Sequence, residues 1–103
     1  MKNLTQEQWS KEVEEDKNAV ILDVRTEEEF IEGYIPSAIN IDIYKGQGFL
    51  DEIEKLDKSK DYYVYCRSGA RSAQACALMK QQGFDNAANL MGGITDWEGE
   101  IQK

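Results

Sequence analysis

Hydrophobic positions along the chain switch repeatedly between two periods. Thr5-Gln6-Glu7-Gln8 has the spacing of a capping box, and Trp9 and Val13 follow four residues apart on one helical face. A helix to about Glu15 is expected, packing Trp9 against the rest of the domain. Val20-Ile21-Leu22-Asp23-Val24 is almost wholly apolar and predicts a strand buried on both faces of a parallel sheet. Thr26-Glu27-Glu28-Glu29 is a second capping box, opening a helix that carries Phe30 and Ile31 and stops at Gly33. Tyr34-Ile35-Pro36-Ser37 reads as a turn, and Ala38 to Asp42 as the next strand. A flexible loop from Tyr44 to Gly48 then leads to a helix over Phe49–Leu56, with Phe49, Ile53 and Leu56 on one face.

Tyr62 to Tyr65 predicts the central strand, Ser72 to Lys80 a helix ended by Gly83, and Ala87 to Leu90 the last strand. Met91-Gly92-Gly93 requires an unusual backbone before a short final helix beginning at Ile94. Trp97 is expected to plug the core, and residues 98 to 103 to fray. Strands alternate with helices, so the fold class is α/β: a mainly parallel sheet of about five strands with helices on both faces. With 103 residues and no repeat or linker, the chain is read as one domain over 1–103, of modest stability, about 5–10 kcal/mol.

Charge alters this picture in one place. The net charge is −8, yet Tyr62 to Phe84 contains no acid and carries +3 from Arg67, Arg71 and Lys80, leaving −11 for the remainder. The overall acidity argues against a nucleic-acid or membrane-surface partner. No apolar run approaches the ~20 residues of a membrane span, and Met1 to Gln6 lacks the apolar core of a signal peptide, so a cytoplasmic address is expected. A monomer is favoured.

The basic island holds Cys66-Arg67-Ser68-Gly69-Ala70-Arg71-Ser72. A strand delivers Cys66 to a tight turn that opens a helix. Backbone N–H groups of the turn and of the first helical turn converge there, with the positive end of the helix dipole. That setting favours a thiolate and seats an anion. Arg67 and Arg71 add full charge in a geometry suited to oxyanions. The chain has no histidine, so a Cys–His pair and His–Cys zinc sites are excluded; no metal or cofactor is expected. A Cys66–Cys76 disulfide is not expected, because five helical steps already advance about 7.5 Å. Cys76 reads as a small core residue. Asp23 interrupts an apolar strand and needs a partner. Arg25 is a candidate, although alternation of strand neighbours counts against it. Asp23 is read as holding, with Arg25, the loops above the sheet rather than as a catalytic carboxylate.

At these residues the chain resembles the rhodanese family of sulfurtransferases. Cys66 to Arg71 looks like that family's six-residue active-site loop. Leu22-Asp23-Val24-Arg25 with Glu29-Phe30, Gly33 to Asn40, Gly83-Phe84, Asn89 to Ile94 and Trp97 extend the likeness over residues 22 to 97. Tyr34 and Ser37 depart from it, standing where the family usually has His and Gly. The resemblance implies a single rhodanese-like domain in which Cys66 is the nucleophile. Arg67, Ser68, Gly69, Ala70 and Arg71 would bind the substrate, and Asp23, Arg25 and Ser72 would be structural supports. It also implies the partners: a small anionic sulfur donor such as thiosulfate, and a thiol or cyanide acceptor. Three other readings stay open: a cysteine phosphatase, disfavoured by a loop one residue shorter than in the related phosphatases; a binding module without turnover; and a relay that passes persulfide sulfur to a protein acceptor.

Overall fold

The computed structural model describes residues 2–103. Five strands form one sheet: β1 (Lys2–Leu4), β2 (Ala19–Asp23), β3 (Ile39–Asn40), β4 (Asp61–Tyr65) and β5 (Ala87–Leu90). Their order is β1-β5-β4-β2-β3, and every pairing is parallel. Four α-helices connect them: α1 (Gln6–Glu15), α2 (Glu27–Glu32), α3 (Gln47–Glu54) and α4 (Ala70–Gln81). Short 3-10 turns lie at Ile43–Lys45 and Ile94–Asp96.

Strand alternation divides the core in two. Tyr62 and Val64 of β4 pack with Leu22, with Phe49 and Ile53 of α3, and with Ala75, Cys76 and Met79 of α4. Tyr63 and Tyr65 point the other way, onto Trp9 of α1, Leu90 and Trp97. Helices therefore cover both faces, as the near-continuous apolar strands require. Trp9 sits edge-on to Tyr63, Tyr65 and Trp97, with centroids 5.6–6.2 Å apart. The inward residues of α4, Ser72, Ala75, Cys76 and Met79, recur at helical spacing.

Both capping boxes form: Thr5 with Gln8, and Thr26 with Glu29. Gln82 caps α4, and Gly83 follows at φ 97°.

Several expectations need correction. β1, too short to show a period, adds a strand that the hydrophobic pattern does not predict, paired in parallel with Ala88–Leu90 of β5. The strand expected over Ala38–Asp42 shrinks to Ile39–Asn40, because the Asp42 side chain accepts from Tyr44 N–H and starts a 3-10 turn instead. That turn occupies part of the expected flexible loop, and α3 opens early, at Gln47. α4 likewise begins at Ala70, so Ala70 and Arg71 belong to the helix. The tail expected to fray is held: Tyr34 and Gln102 exchange two backbone hydrogen bonds, at 2.9 and 2.8 Å. Among the described residues no helix is long and apolar enough to cross a membrane.

Candidate active site

Cys66 directly follows β4, a central strand with β5 on one side and β2 on the other. This is the carboxyl end of a parallel sheet, where α/β folds place their ligands. The side chain is recessed, with only 1% of the residue exposed. Gly69 takes φ 109° as the N-cap of α4, which turns its N–H back onto Cys66 Sγ at 3.0 Å. Ser72 Oγ lies 3.4 Å from the same sulfur. Burial pushes the Cys66 thiol up, but the hydrogen bonds that a thiolate there accepts from the Ser72 hydroxyl and from the Ser72, Gly69 and Ser68 amides outweigh it, and the net pKa is lowered. Cys76 lies on the same helix one turn on, wholly buried and without such donors; desolvation pushes its thiol up to about 12. Both are free thiols. The two thiols thus shift in opposite directions, and only Cys66 lies in a setting that favours the thiolate.

A segment that sequence reasoning passed over fixes the loop from behind. Ile94 N–H donates to Cys66 O at 3.0 Å, and Thr95 donates to Arg67 O from its N–H at 3.0 Å and its hydroxyl at 2.8 Å. These bonds draw two loop carbonyls out of the cradle. Gly93, at φ 60°, makes room for them: a Cβ there would lie 2.4 Å from Arg67 O and 2.7 Å from Cys66 O. The glycine pair was visible in the sequence, but its contact with the Cys66 loop was not.

The arginines are not equivalent. Arg71 forms a two-pronged ion pair with Glu29 of α2, at 2.7 and 2.9 Å, and its guanidinium lies 5.3 Å from the Tyr44 ring centroid. Tyr44 therefore borders the loop's arginine. The Arg71 guanidinium, with the Thr26 cap, holds the Glu29 carboxyl down to about 2. Arg67 instead lines an open cleft of about 410 Å³ with Arg25, Glu29, Glu32, Gly33, Ile94 and Ile101. The basic island of the sequence is thus partly neutralised in space by acids from α2. A smaller hollow of about 260 Å³, lined by Lys2, Glu12, Asp16, Asp61 and Tyr63 among others, lies at the opposite end of the strands, away from the cysteine loop.

Asp23 and Arg25 are buried and joined by bonds of 2.7–3.1 Å; Arg25 also donates to Gly33 O at 2.7 Å. Arg25 lies beyond the end of β2, where the chain bends and the Arg25 N–H also donates to Asp23 Oδ1 at 2.9 Å, so strand alternation does not separate the pair. The pair ties the end of β2 to the end of α2. Ser68 and Ala70 are exposed at the loop's rim.

The comparisons with known proteins agree with this geometry. The family described as "Rhodanese-like domain" matches residues 5–100. The chain belongs to the rhodanese-like domain family. A protein named sulfurtransferase from Allochromatium vinosum is 38% identical over 91 residues, covering 88% of this chain and 82% of that protein. A crystal structure of a rhodanese-like domain protein from Staphylococcus aureus superposes with a TM-score of 0.84 at 33% identity, covering 99% of this chain and 97% of that one. The tRNA uridine(34) hydroxylase of Pelagibacter ubique is 30% identical over 92% of this chain but only 31% of that longer protein. Relatives named sulfurtransferase support a rhodanese-type sulfurtransferase.

Proposed function

We propose that the chain moves sulfane sulfur through a persulfide on Cys66. The observation that carries this reading is the recessed Cys66 sulfur, held by the Gly69 amide at 3.0 Å at the amino end of α4. That place favours the thiolate and, after the first step, a terminal sulfur that bears negative charge.

The thiolate attacks the outer sulfur of thiosulfate or another persulfide donor. For thiosulfate, a Cys66–sulfur bond forms, the donor's S–S bond breaks, and sulfite leaves with the electron pair. Cys66 then carries one extra sulfur, stabilised by the loop amides of Ser68, Gly69, Ala70 and Arg71. A thiol or cyanide attacks that outer sulfur, and Cys66 Sγ leaves as the thiolate. Electrons balance over the two half-reactions without an external oxidant. Arg67, facing the cleft, receives the anionic donor. Arg71, held by Glu29, contributes to the loop mainly by position. Ser72 supports the sulfur directly, and Asp23 with Arg25 supports the loops. A protein acceptor fits the same second step, and the exposed rim at Ser68 and Ala70 leaves it an approach.

Initial rates at varied thiosulfate and cyanide test this. Parallel double-reciprocal lines, with loss of thiocyanate formation in Cys66→Ser, are expected. Sulfur gain without thiocyanate formation would favour a protein acceptor. Absence of both sulfur gain and thiocyanate formation would refute thiosulfate as the donor, and the same absence with a small-molecule persulfide would refute the reading.

A further inference from the structure

Behind the nucleophile lies a buried chain of side chains of which the sulfur-transfer steps use only Ser72. Ser72 is wholly buried and Asn89 is 5% exposed. The Ser72 hydroxyl faces three acceptors: Asn89 Oδ1, the nearest, Gly69 O at 3.2 Å and Cys66 Sγ at 3.4 Å. Asn89 Nδ2 donates outward to Asn3 Oδ1 at 3.0 Å and to Gly69 O at 3.4 Å. The chain runs from the sulfur through α4 and β5 to edge strand β1.

A hydroxyl has one proton. In this arrangement Asn89 Oδ1, which can only accept, takes it. The Ser72 oxygen then offers the sulfur a lone pair, which suits a thiol S–H. A thiolate needs the opposite: the hydroxyl proton must point at sulfur. An amide can supply either arrangement, because a half-turn exchanges its acceptor for its donor.

We propose that Asn89 is a positioning residue that lets the single Ser72 hydroxyl serve both charge states of Cys66. With Oδ1 toward Ser72, it draws the hydroxyl proton away and leaves the oxygen to receive the thiol proton. When Cys66 loses its proton to solvent, the amide turns. Nδ2 then donates to Ser72 Oγ, and the hydroxyl donates to the thiolate. Asn3, on an exposed edge strand, turns with it, and Gly69 O gives up its long 3.4 Å bond from Nδ2 while keeping the Ala73 N–H at 3.1 Å. The charged groups around the loop are Arg67, Arg71 of α4 with Glu29 of α2, Glu32 on the cleft, and Asp23 with Arg25 beyond β2; none is altered in the variants below.

The test is the pH profile of Cys66 alkylation by iodoacetamide, followed by mass spectrometry. Its midpoint reads the thiolate independently of access. Asn89→Asp keeps the shape but can only accept, so it pins Ser72 in the thiol arrangement. The midpoint is expected to rise by about one pH unit, about tenfold less thiolate below it. In a Ser72→Ala background less than half of that shift should remain. Asn3→Asp, on the exposed edge, is expected to raise the midpoint by about half a unit, again only with Ser72 present, and guards against misfolding at position 89. No shift in the Ser72 chain, or a shift at least half retained in Ser72→Ala, overturns the proposal; the latter would mean that the new charge acts directly. The inference rests on Cys66 as the nucleophile. Alkylation needs no sulfur donor, so failure of sulfur transfer and failure of this relay are separately visible.

Discussion

Gly93→Ala should disable the cysteine loop without removing any group that touches the substrate. The new Cβ would stand 2.4 Å from Arg67 O, 2.5 Å from Arg67 C and 2.7 Å from Cys66 O, whereas real Cβ contacts stay above 3.0 Å. The loop backbone must therefore retreat by about 0.6 Å, the gap between 2.4 and 3.0 Å. It cannot do so freely, because Ile94 and Thr95, directly after position 93, hold the same two carbonyls. The backbone at φ 60°, ψ −162° adds strain of about 1–3 kcal/mol for a residue other than glycine. Overlap in a packed site adds about 1–3 kcal/mol. A total loss of about 2–6 kcal/mol lowers the melting temperature by roughly 10–30 °C in a domain of this size. Displacement of a reacting group by about 1 Å can cost about 10²-fold, so sulfur loading of Cys66 should slow about 10- to 100-fold. Gly46→Ala is the matched control: it has a similar φ of 58° but meets nothing within 4 Å. It should lose only the backbone term and load sulfur normally. Circular dichroism melts and single-turnover loading at a temperature where each variant is folded measure both effects. A folded Gly93→Ala chain that loads sulfur within twofold of wild type would refute the claim that this clamp positions the nucleophile.

Other outcomes are expected from the same structure. Asp23→Ala leaves Arg25 buried without its partner and should cost about 3–5 kcal/mol in urea unfolding; a loss under about 1 kcal/mol would contradict the supporting role. Glu29 has its pKa lowered from 4.5 to about 2, so the stability it adds is fully present above about pH 4.5 and disappears as pH falls through about 2. The melting-temperature gap between wild type and Glu29→Gln should therefore be widest near neutrality and close by pH 2; a constant gap would contradict it. The alkylation midpoint of Cys66 should lie below the ordinary value of 9.0, with Cys76 unreactive across that range. Equal labelling of both thiols would contradict the assignment.

The cysteine loop was legible because it is local. A strand, a turn with glycine and a helix lie within about twenty consecutive residues, and their geometry follows from neighbouring residues alone. The capping boxes at Thr5 and Thr26 were legible for the same reason. What the sequence hid depends on residues far apart in the chain. Glu29 reaches Arg71 from forty-two positions away, and Asn89 reaches Asn3 from eighty-six. Three-residue β1 carries no measurable period, and the tail is ordered only because Gln102 meets Tyr34. Gly92 and Gly93 announced an unusual backbone, but nothing nearby said which loop it was shaped to hold.

Intact mass after exposure to thiosulfate, excess donor removed, tests the central claim most directly. The wild type and Cys76→Ser should each gain one sulfur atom, lost again on adding cyanide or a thiol. Cys66→Ser should gain none. A sulfur adduct that persists in Cys66→Ser, or no adduct in the wild type with either thiosulfate or a small-molecule persulfide, would contradict transfer through Cys66.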